Sequence, residues 1–361
     1  MKKFDKLLFL SVILLMILSL FMIYSASFVW AEYKFDNPFK YVINQGIFVV
    51  VGIILMLIVS KIDHKIYLKK ANIILISCVI LLILGLIPGL GVVRNGSRSW
   101  FGIGSFGVQP SEFSKLGLII FTSKYLSRSN KFLKDYKKGV FPILIILFLI
   151  FGLIMLEPDF GSGMIIVLTI VSMLFVSGVN MKFFLYLGGI GIIGIIILII
   201  IAPYRMDRIT SFINPWSDPL GTGFQIIQSL YAIGPGGLFG VGYLNSRQKS
   251  FYLPEPQTDF IFSIIAEEFG VVGSLVVLTL FAIILIRALK ISLRQEKLFS
   301  KYLSFGLTFQ LIVQVIMNLS VVIGLIPVTG VTLPFLSYGG SSLLTSLIGI
   351  GILLNISLNE E

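Results

Sequence analysis

The sequence predicts an all-α, polytopic membrane protein built as a single transmembrane domain, and three observations carry that prediction. Of the 361 residues, 57% are hydrophobic and only 12% are charged, whereas a soluble domain is nearer half apolar and about a quarter charged. Apolar runs of roughly 20 residues, enough to cross a hydrocarbon core of about 30 Å as helices, recur along the whole chain. Runs such as residues 189–202, GIGIIGIIILIIIA, do not alternate in polarity as the strands of a β-barrel do.

Ten spans follow in order, at about 7–28, 43–60, 71–89, 110–126, 139–157, 161–178, 183–202, 260–286, 302–324 and 341–356. The first opens with Met1–Lys6 and a long apolar run, a pattern shared with signal peptides. Its length and the spans behind it make it an uncleaved helix. Lys and Arg fix the orientation, because cytoplasmic segments collect them. With the N-terminus inside, nineteen of the 28 Lys and Arg fall in inward segments and eight in outward ones. Both termini are therefore expected in the cytoplasm. The net charge of +11 reads as topology and attraction to anionic membrane lipids, not as a nucleic-acid surface. The single cysteine, Cys78, and the single histidine, His64, exclude an internal disulfide, a Cys cluster for metal and a His-based triad. Cys78 is expected as a small buried residue.

The outward loop at 203–259 carries Trp216, Tyr231, Phe239 and Tyr252, an apolar stripe at Phe224, Ile227 and Tyr231, and the glycine-rich GPGGLFGVG. It is expected to be ordered, with a short helix and tight turns against the membrane surface. No GK[ST] follows the glycines, so they are not a nucleotide-binding loop.

Ionisable residues at bilayer depth are costly and tend to be paired or functional. Glu112 and Lys115 share a helix face three residues apart, although Glu112 could complement a helix start and Lys115 could snorkel. Trp100 fits an interfacial anchor, and Arg98 a headgroup contact. Glu157 and Asp159 read as a solvated turn or as site residues. Arg205 and Arg208 suit phosphate oxygens, near Gln225. Asp259 could cap a helix, and Glu267 and Glu268 about 12 Å further on suggest a polar path. PVTGVTLPFLSYGGSS (Pro327–Ser342) reads as a broken segment lining a cavity. All of these lie on the outer side, where a lipid-linked anionic substrate would sit.

The ordered blocks MIYSAS, NGSRSW with QPSEFSKL, EPDFGSG, FINPWSDPLGTGFQIIQSL, LPEPQTDFIF and PVTGVTLPFLSYGGSS resemble those of the SEDS family (shape, elongation, division and sporulation proteins), nearest its FtsW/SpoVE branch. Glu157 stands where that family often has Gln, and Leu244 where it often has Gly. The resemblance implies a peptidoglycan glycosyltransferase of the bacterial cytoplasmic membrane. Such an enzyme polymerises lipid II into undecaprenyl-diphosphate-linked glycan beside a class B penicillin-binding protein. It places the essential aspartate at Asp259. Arg98, Trp100, Glu112, Lys115, Asp159, Arg205, Arg208, Gln225, Glu255 and Ser337 are expected to bind substrate. One inverting displacement needs one base, because diphosphate already leaves well and the acid of a glycosidase pair becomes dispensable. A divalent cation, Mg²⁺ or Mn²⁺, held by an acid and the diphosphate is compatible with this chemistry, and the sequence leaves the metal open. A lipid flippase with a polar path to both faces and a non-catalytic scaffold for the transpeptidase are the competing readings.

Overall fold

The computed structural model describes residues 4–94, 97–103, 106–129, 135–201 and 203–358. Each of the ten expected spans coincides with a helix. They are α1 (Lys6–Phe35), α2 (Lys40–Lys61), α3 (Lys65–Leu86), α4 (Pro110–Ser129), α6 (Phe141–Leu156, preceded by the single turn α5, Tyr136–Gly139), α7 (Phe160–Val176), α8 (Met181–Ile201), α11 (Ile261–Leu293), α12 (Leu298–Val322) and α13 (Gly340–Leu358). Among the described residues, six of these (α1, α2, α3, α11, α12 and α13) are long and apolar enough to cross a membrane, and α6, α7 and α8 contribute shorter apolar stretches. Their outward faces carry Leu, Ile, Phe and Val in the open, for example Ile73, Ile145, Leu185 and Leu275. Water would penalise such a surface, and lipid tails solvate it. The chain is a multi-pass membrane protein.

α1 and α11 each overrun their expected C-terminal end by seven residues. Apolar content marks where a helix meets lipid, whereas backbone hydrogen bonding continues through Glu32 and Lys34 into the polar layer. α1 starts on Asp5, whose carboxylate accepts from the Leu8 N–H at 3.0 Å and pairs with Arg287 at 2.8 Å. It ends on Asp36 in the left-handed conformation, φ 51°.

α12 lies at the centre, packed against α4, α7, α11 and α13, while α2 lies along α13 and α3 along α4. Ser300, Ser304, Thr308, Gln314 and Asn318 run buried along α12, with Ser304 and Thr308 each donating to the carbonyl four residues earlier. His64, the N-cap residue of α3, is buried. Its ring spans Asn355 Oδ1 of α13 (3.0 Å) and Ser300 Oγ of α12 (2.9 Å). Cys78 is buried as expected, with its Sγ 3.5 Å from the Phe113 carbonyl.

Two connections depart from the sequence reading. The Gly- and Ser-rich outer segment between α3 and α4 carries a three-stranded antiparallel sheet of β1 (Val92–Arg94), β2 (Ser97–Ile103) and β3 (Phe106–Val108). The loop between α8 and α11 holds α9 (Pro203–Ile213) and α10 (Phe224–Ile233), and buries Ile226, Ile227, Ser229 and Ala232 of α10. Of the expected stripe only Ile227 is buried. Tyr231 stays exposed and packs edge-on against Trp216 at 5.8 Å.

The glycine-rich turns do not lie on the membrane surface alone. They back onto a break in α11 at Gly270, whose φ of 64° and ψ of −154° are closed to residues with a side chain. There the Val241 and Gly242 N–H groups donate to the Glu267 and Glu268 carbonyls, and the Val271 and Val272 N–H groups donate to Gly237 and Leu238. Backbone groups freed by the break are thereby satisfied, as a membrane-embedded helix requires. A Cβ on Gly240 would sit 2.2 Å from the Glu268 carbonyl oxygen.

Candidate active site

The segment Leu253–Phe260 is tied at both ends by buried apolar side chains, Leu253 and Phe260. Between them the Thr258 N–H closes a turn on the Glu255 carbonyl at 3.0 Å, with Glu255 in the left-handed region at φ 44°. The Thr258 hydroxyl lies 2.7 Å from that carbonyl oxygen and 2.8 Å from Asp259 Oδ1, so its one proton is shared between two acceptors. Phe260, not Asp259, occupies the N-cap of α11, and no side chain caps that helix. The Asp259 carboxylate is therefore not consumed by capping.

Its position is set from α12. Asn318 Nδ2 donates to the Asp259 carbonyl at 2.7 Å and to the Val331 carbonyl at 2.8 Å, which binds the turn to the connector between α12 and α13. The Tyr338 N–H adds a bond to the Gln257 carbonyl at 2.8 Å. Arg208, on α9, donates from Nη1 to the Val328 carbonyl at 2.8 Å, and its charge is near enough to act on the Asp259 carboxyl. Crowding by protein around the half-buried Asp259 pushes its carboxyl above the usual aspartate range. The Thr258 hydrogen bond and Arg208 pull the other way, and the nearby Glu255 adds to the rise.

A second polar group lies under the same connector. Asp159 caps α7 through the Ser162 N–H at 3.0 Å and accepts from Gln109 Nε2 (3.0 Å) and Ser111 Oγ (3.2 Å). Lys115 does not snorkel. It is 1% exposed and pairs with Glu112 at 2.7 Å, while Thr345 donates to the other Glu112 oxygen at 3.2 Å. Glu157 is fully buried, not solvated, with its Oε1 facing Gly85 of α3. The first turn of α13 joins the two groups. Ser341 accepts from the Gln109 N–H at 2.9 Å, and Ser342 accepts from Gln314 at 3.1 Å. Ser337 is buried and accepts from the Leu333 N–H at 2.8 Å, so it shapes the connector.

Glu267 and Glu268 form neither a path nor part of this group. Glu268 pairs with the buried Lys249 at 2.7 Å and accepts from Ser25 of α1, while Glu267 accepts from Ser246 Oγ and the Arg247 N–H. They fasten the loop to α1 and α11. Gln225 is half-buried on α10 and Trp100 half-buried on β2. The side chains of Arg98 and Arg205 lie outside the described residues.

Asp259, Glu255 and Arg208 thus come together at the connector, with Thr258, Asn318 and Tyr338 around them. Asn318 was findable from sequence: an amide inside an apolar run is costly unless it is bonded. Among the described residues no group of three or more His, Cys, Asp or Glu side chains converges to hold a metal.

The chain matches the cell cycle protein family model of FtsW, RodA and SpoVE over residues 5–361. It is 50% identical over 353 residues to stage V sporulation protein E of Bacillus subtilis (strain 168), covering 98% of this chain and 96% of that protein. It is 41% identical over 356 residues to a probable peptidoglycan glycosyltransferase FtsW of Legionella pneumophila, covering 98% and 90%. Among solved structures it resembles a chain of a peptidoglycan synthase complex, solved for its coordination of polymerization and crosslinking, with a TM-score of 0.79 at 28% identity over 99% of this chain and 98% of that one. It also resembles the rod shape determining protein RodA of Thermus thermophilus, with a TM-score of 0.73 at 26% identity over 99% and 97%. With the ordered motifs and the helical architecture, these matches place the chain in the FtsW/RodA/SpoVE family of cell cycle proteins.

Proposed function

We propose that this protein is a peptidoglycan glycosyltransferase that polymerises lipid II at the outer face of the bacterial cytoplasmic membrane, in division or sporulation. The relatives named as such support the activity. The observation that carries the site is Asp259, half-buried and uncommitted to helix capping, on the connector to which Arg208 also bonds. The cation-rich loops opposite support an outward position for this end of the bundle.

The reaction joins a sugar hydroxyl to an anomeric carbon bearing a lipid diphosphate. Asp259 takes the hydroxyl proton as the new C–O bond forms and the bond to diphosphate breaks, with inversion. A general base contributes about 10²–10⁴-fold. The guanidinium of Arg208, bonded to the connector at Val328, stabilises the charge gathering on the diphosphate. Fixing the turn from α12 keeps the base aligned, which supplies rate by orientation. Two neighbouring carboxylates, Asp259 and Glu255, fit the way Mg²⁺ is shared between one or two acids and phosphates. They would hold such an ion, which would neutralise leaving-group charge. A class B penicillin-binding protein is the expected partner, in keeping with the neighbour drawn from a synthase complex.

The test is the purified chain with its transpeptidase, supplied with labelled lipid II, and strand length read on a gel. Wild type makes glycan, and Asp259→Asn and Asp259→Ala lose it. Wild-type rates from folded Asp259→Ala overturn the assignment of the base. Lipid II crossing vesicles without polymerisation overturns the enzyme reading in favour of a flippase.

A further inference from the structure

A fixed aromatic surface bearing two lysines adjoins the Asp259 turn where α1 and α2 meet the α12–α13 connector. Phe35, the last residue of α1, packs edge-on against Tyr41 of α2, with centroids 5.9 Å apart at 72°. Tyr41 packs edge-on against Tyr338 at 5.0 Å and 89°. Tyr338 is the residue whose N–H binds the Gln257 carbonyl, two residues before Asp259. The junction is held by more than side-chain contact. Gln45, one turn along α2, donates to the Ser337 carbonyl at 3.2 Å and accepts from the Gly339 N–H at 3.4 Å. Gly340 packs so closely on Phe48 that a Cβ there would lie 2.4 Å from the ring. Aromatic residues that only anchor a helix at the interface need no such fixing to a neighbouring connector.

The surface is open and bears two lysines, with the carboxylate of Glu255 near Tyr41. Phe35 is 41% exposed, and the ammonium groups of Lys34 and Lys40 lie 5.7 and 6.0 Å from its ring centroid. Glu32 and Asp36 share this stretch of chain, yet among the described residues neither lysine forms an ion pair. Two ammonium groups converging on one ring repel each other, and an anion brought to them relieves the repulsion. Flat aromatic faces accept the C–H face of a pyranose, and the phenol groups of Tyr41 and Tyr338 can hydrogen-bond its hydroxyl and amide substituents.

An enzyme that joins two lipid-linked saccharides has to hold both, and Arg208 on α9 provides for one diphosphate. We infer that Phe35, Tyr41 and Tyr338, flanked by Lys34 and Lys40, form a saccharide subsite that holds the glycan strand beside Asp259, with the lysines taking its acidic groups. The inference rests on the glycosyltransferase reading above and adds where the second sugar chain lies.

The experiment uses the full chain in nanodiscs, titrated with a β-1,4-linked N-acetylglucosamine hexasaccharide and, separately, with farnesyl diphosphate. Binding is read by saturation-transfer NMR on the ligand. The hexasaccharide binds wild type and Asp259→Asn alike, and about fivefold more weakly to Phe35→Ala and Tyr41→Ala, the loss of one aromatic face. Tyr41→Phe keeps the ring and retains the binding. Lys40→Gln, which removes a charge beside Phe35 and keeps all three rings, shortens the strands made from lipid II. Unchanged hexasaccharide affinity in folded Phe35→Ala and Tyr41→Ala overturns the subsite, as does binding of farnesyl diphosphate alone, which marks a lipid-headgroup contact. The two readings separate cleanly. A wild-type chain that binds the hexasaccharide but makes no glycan overturns only the polymerase. A chain that polymerises while all variants bind as wild type overturns only the subsite.

Discussion

Asn318, in the middle of the bundle, holds the main-chain carbonyl of Asp259 at 2.7 Å while its other bond goes to Val331. α12 thus fixes the backbone that carries the proposed base, while Thr258 of the loop bonds its carboxylate. Asn318→Ala removes both bonds. Turnover is expected to fall by roughly 10²-fold, the cost of a displacement near 1 Å, with lipid II KM little changed. Steady-state polymerisation kinetics at several lipid II concentrations check this, and a change confined to KM would contradict it.

The pH profile follows from the raised Asp259 carboxyl. A general base acts only when deprotonated, so the rate climbs as pH rises through its pKa. The ascending limb is expected above the ordinary aspartate value of about 3.9. Arg208 lowers that pKa, so Arg208→Gln moves the limb to higher pH as well as slowing the reaction. Polymerisation rates across pH for both proteins decide it. A limb that stays in place in Arg208→Gln removes Arg208 from the electrostatics of the base.

Glu112 and Lys115 are buried together, and taking one away strands the other in an apolar interior. Lys115→Met is expected to destabilise by about 3–5 kcal/mol. The double replacement Glu112→Gln with Lys115→Met costs less, because no uncompensated charge remains. Apparent melting temperatures in detergent rank the three proteins, and equal losses for single and double variants would argue against a coupled pair.

Gly240 has no room for a methyl group against the Glu268 carbonyl, and its φ is 79°. Gly240→Ala is expected to detach the turn from α11 and lower both melting temperature and activity. Gly188→Ala on α8, where nothing lies within 4 Å, serves as the neutral control. Similar behaviour of the two variants would show that the close approach is not needed.

The spans were legible because lipid demands long apolar runs, and the pairing of Glu112 with Lys115 because helix geometry sets which residues face each other. The β-sheet was not. Its outer strands have three residues each, too few to display a two-residue period. The break at Gly270 was hidden because one glycine in an apolar run is ordinary, and only the partner loop shows that its conformation is special. Glu267 and Glu268 looked like parts of a path because depth along a helix is readable and azimuth toward a distant Lys249 is not. Asp259 stood out by its place at a polar-to-apolar junction. Its supports, Asn318 and Tyr338, come from segments some 60 and 80 residues further along, a proximity that pattern alone does not reveal.

The interruption at Gly270 has a mechanical consequence. Four backbone bonds weld the glycine turns to both sides of the discontinuity, so the nine residues Ile261–Phe269 and the loop behave as one stiff crank mounted on the lower shaft of α11. A torque applied to that shaft from within the bilayer, by a neighbouring helix for instance, reaches residue 259 as a displacement and is not dissipated in a floppy hinge.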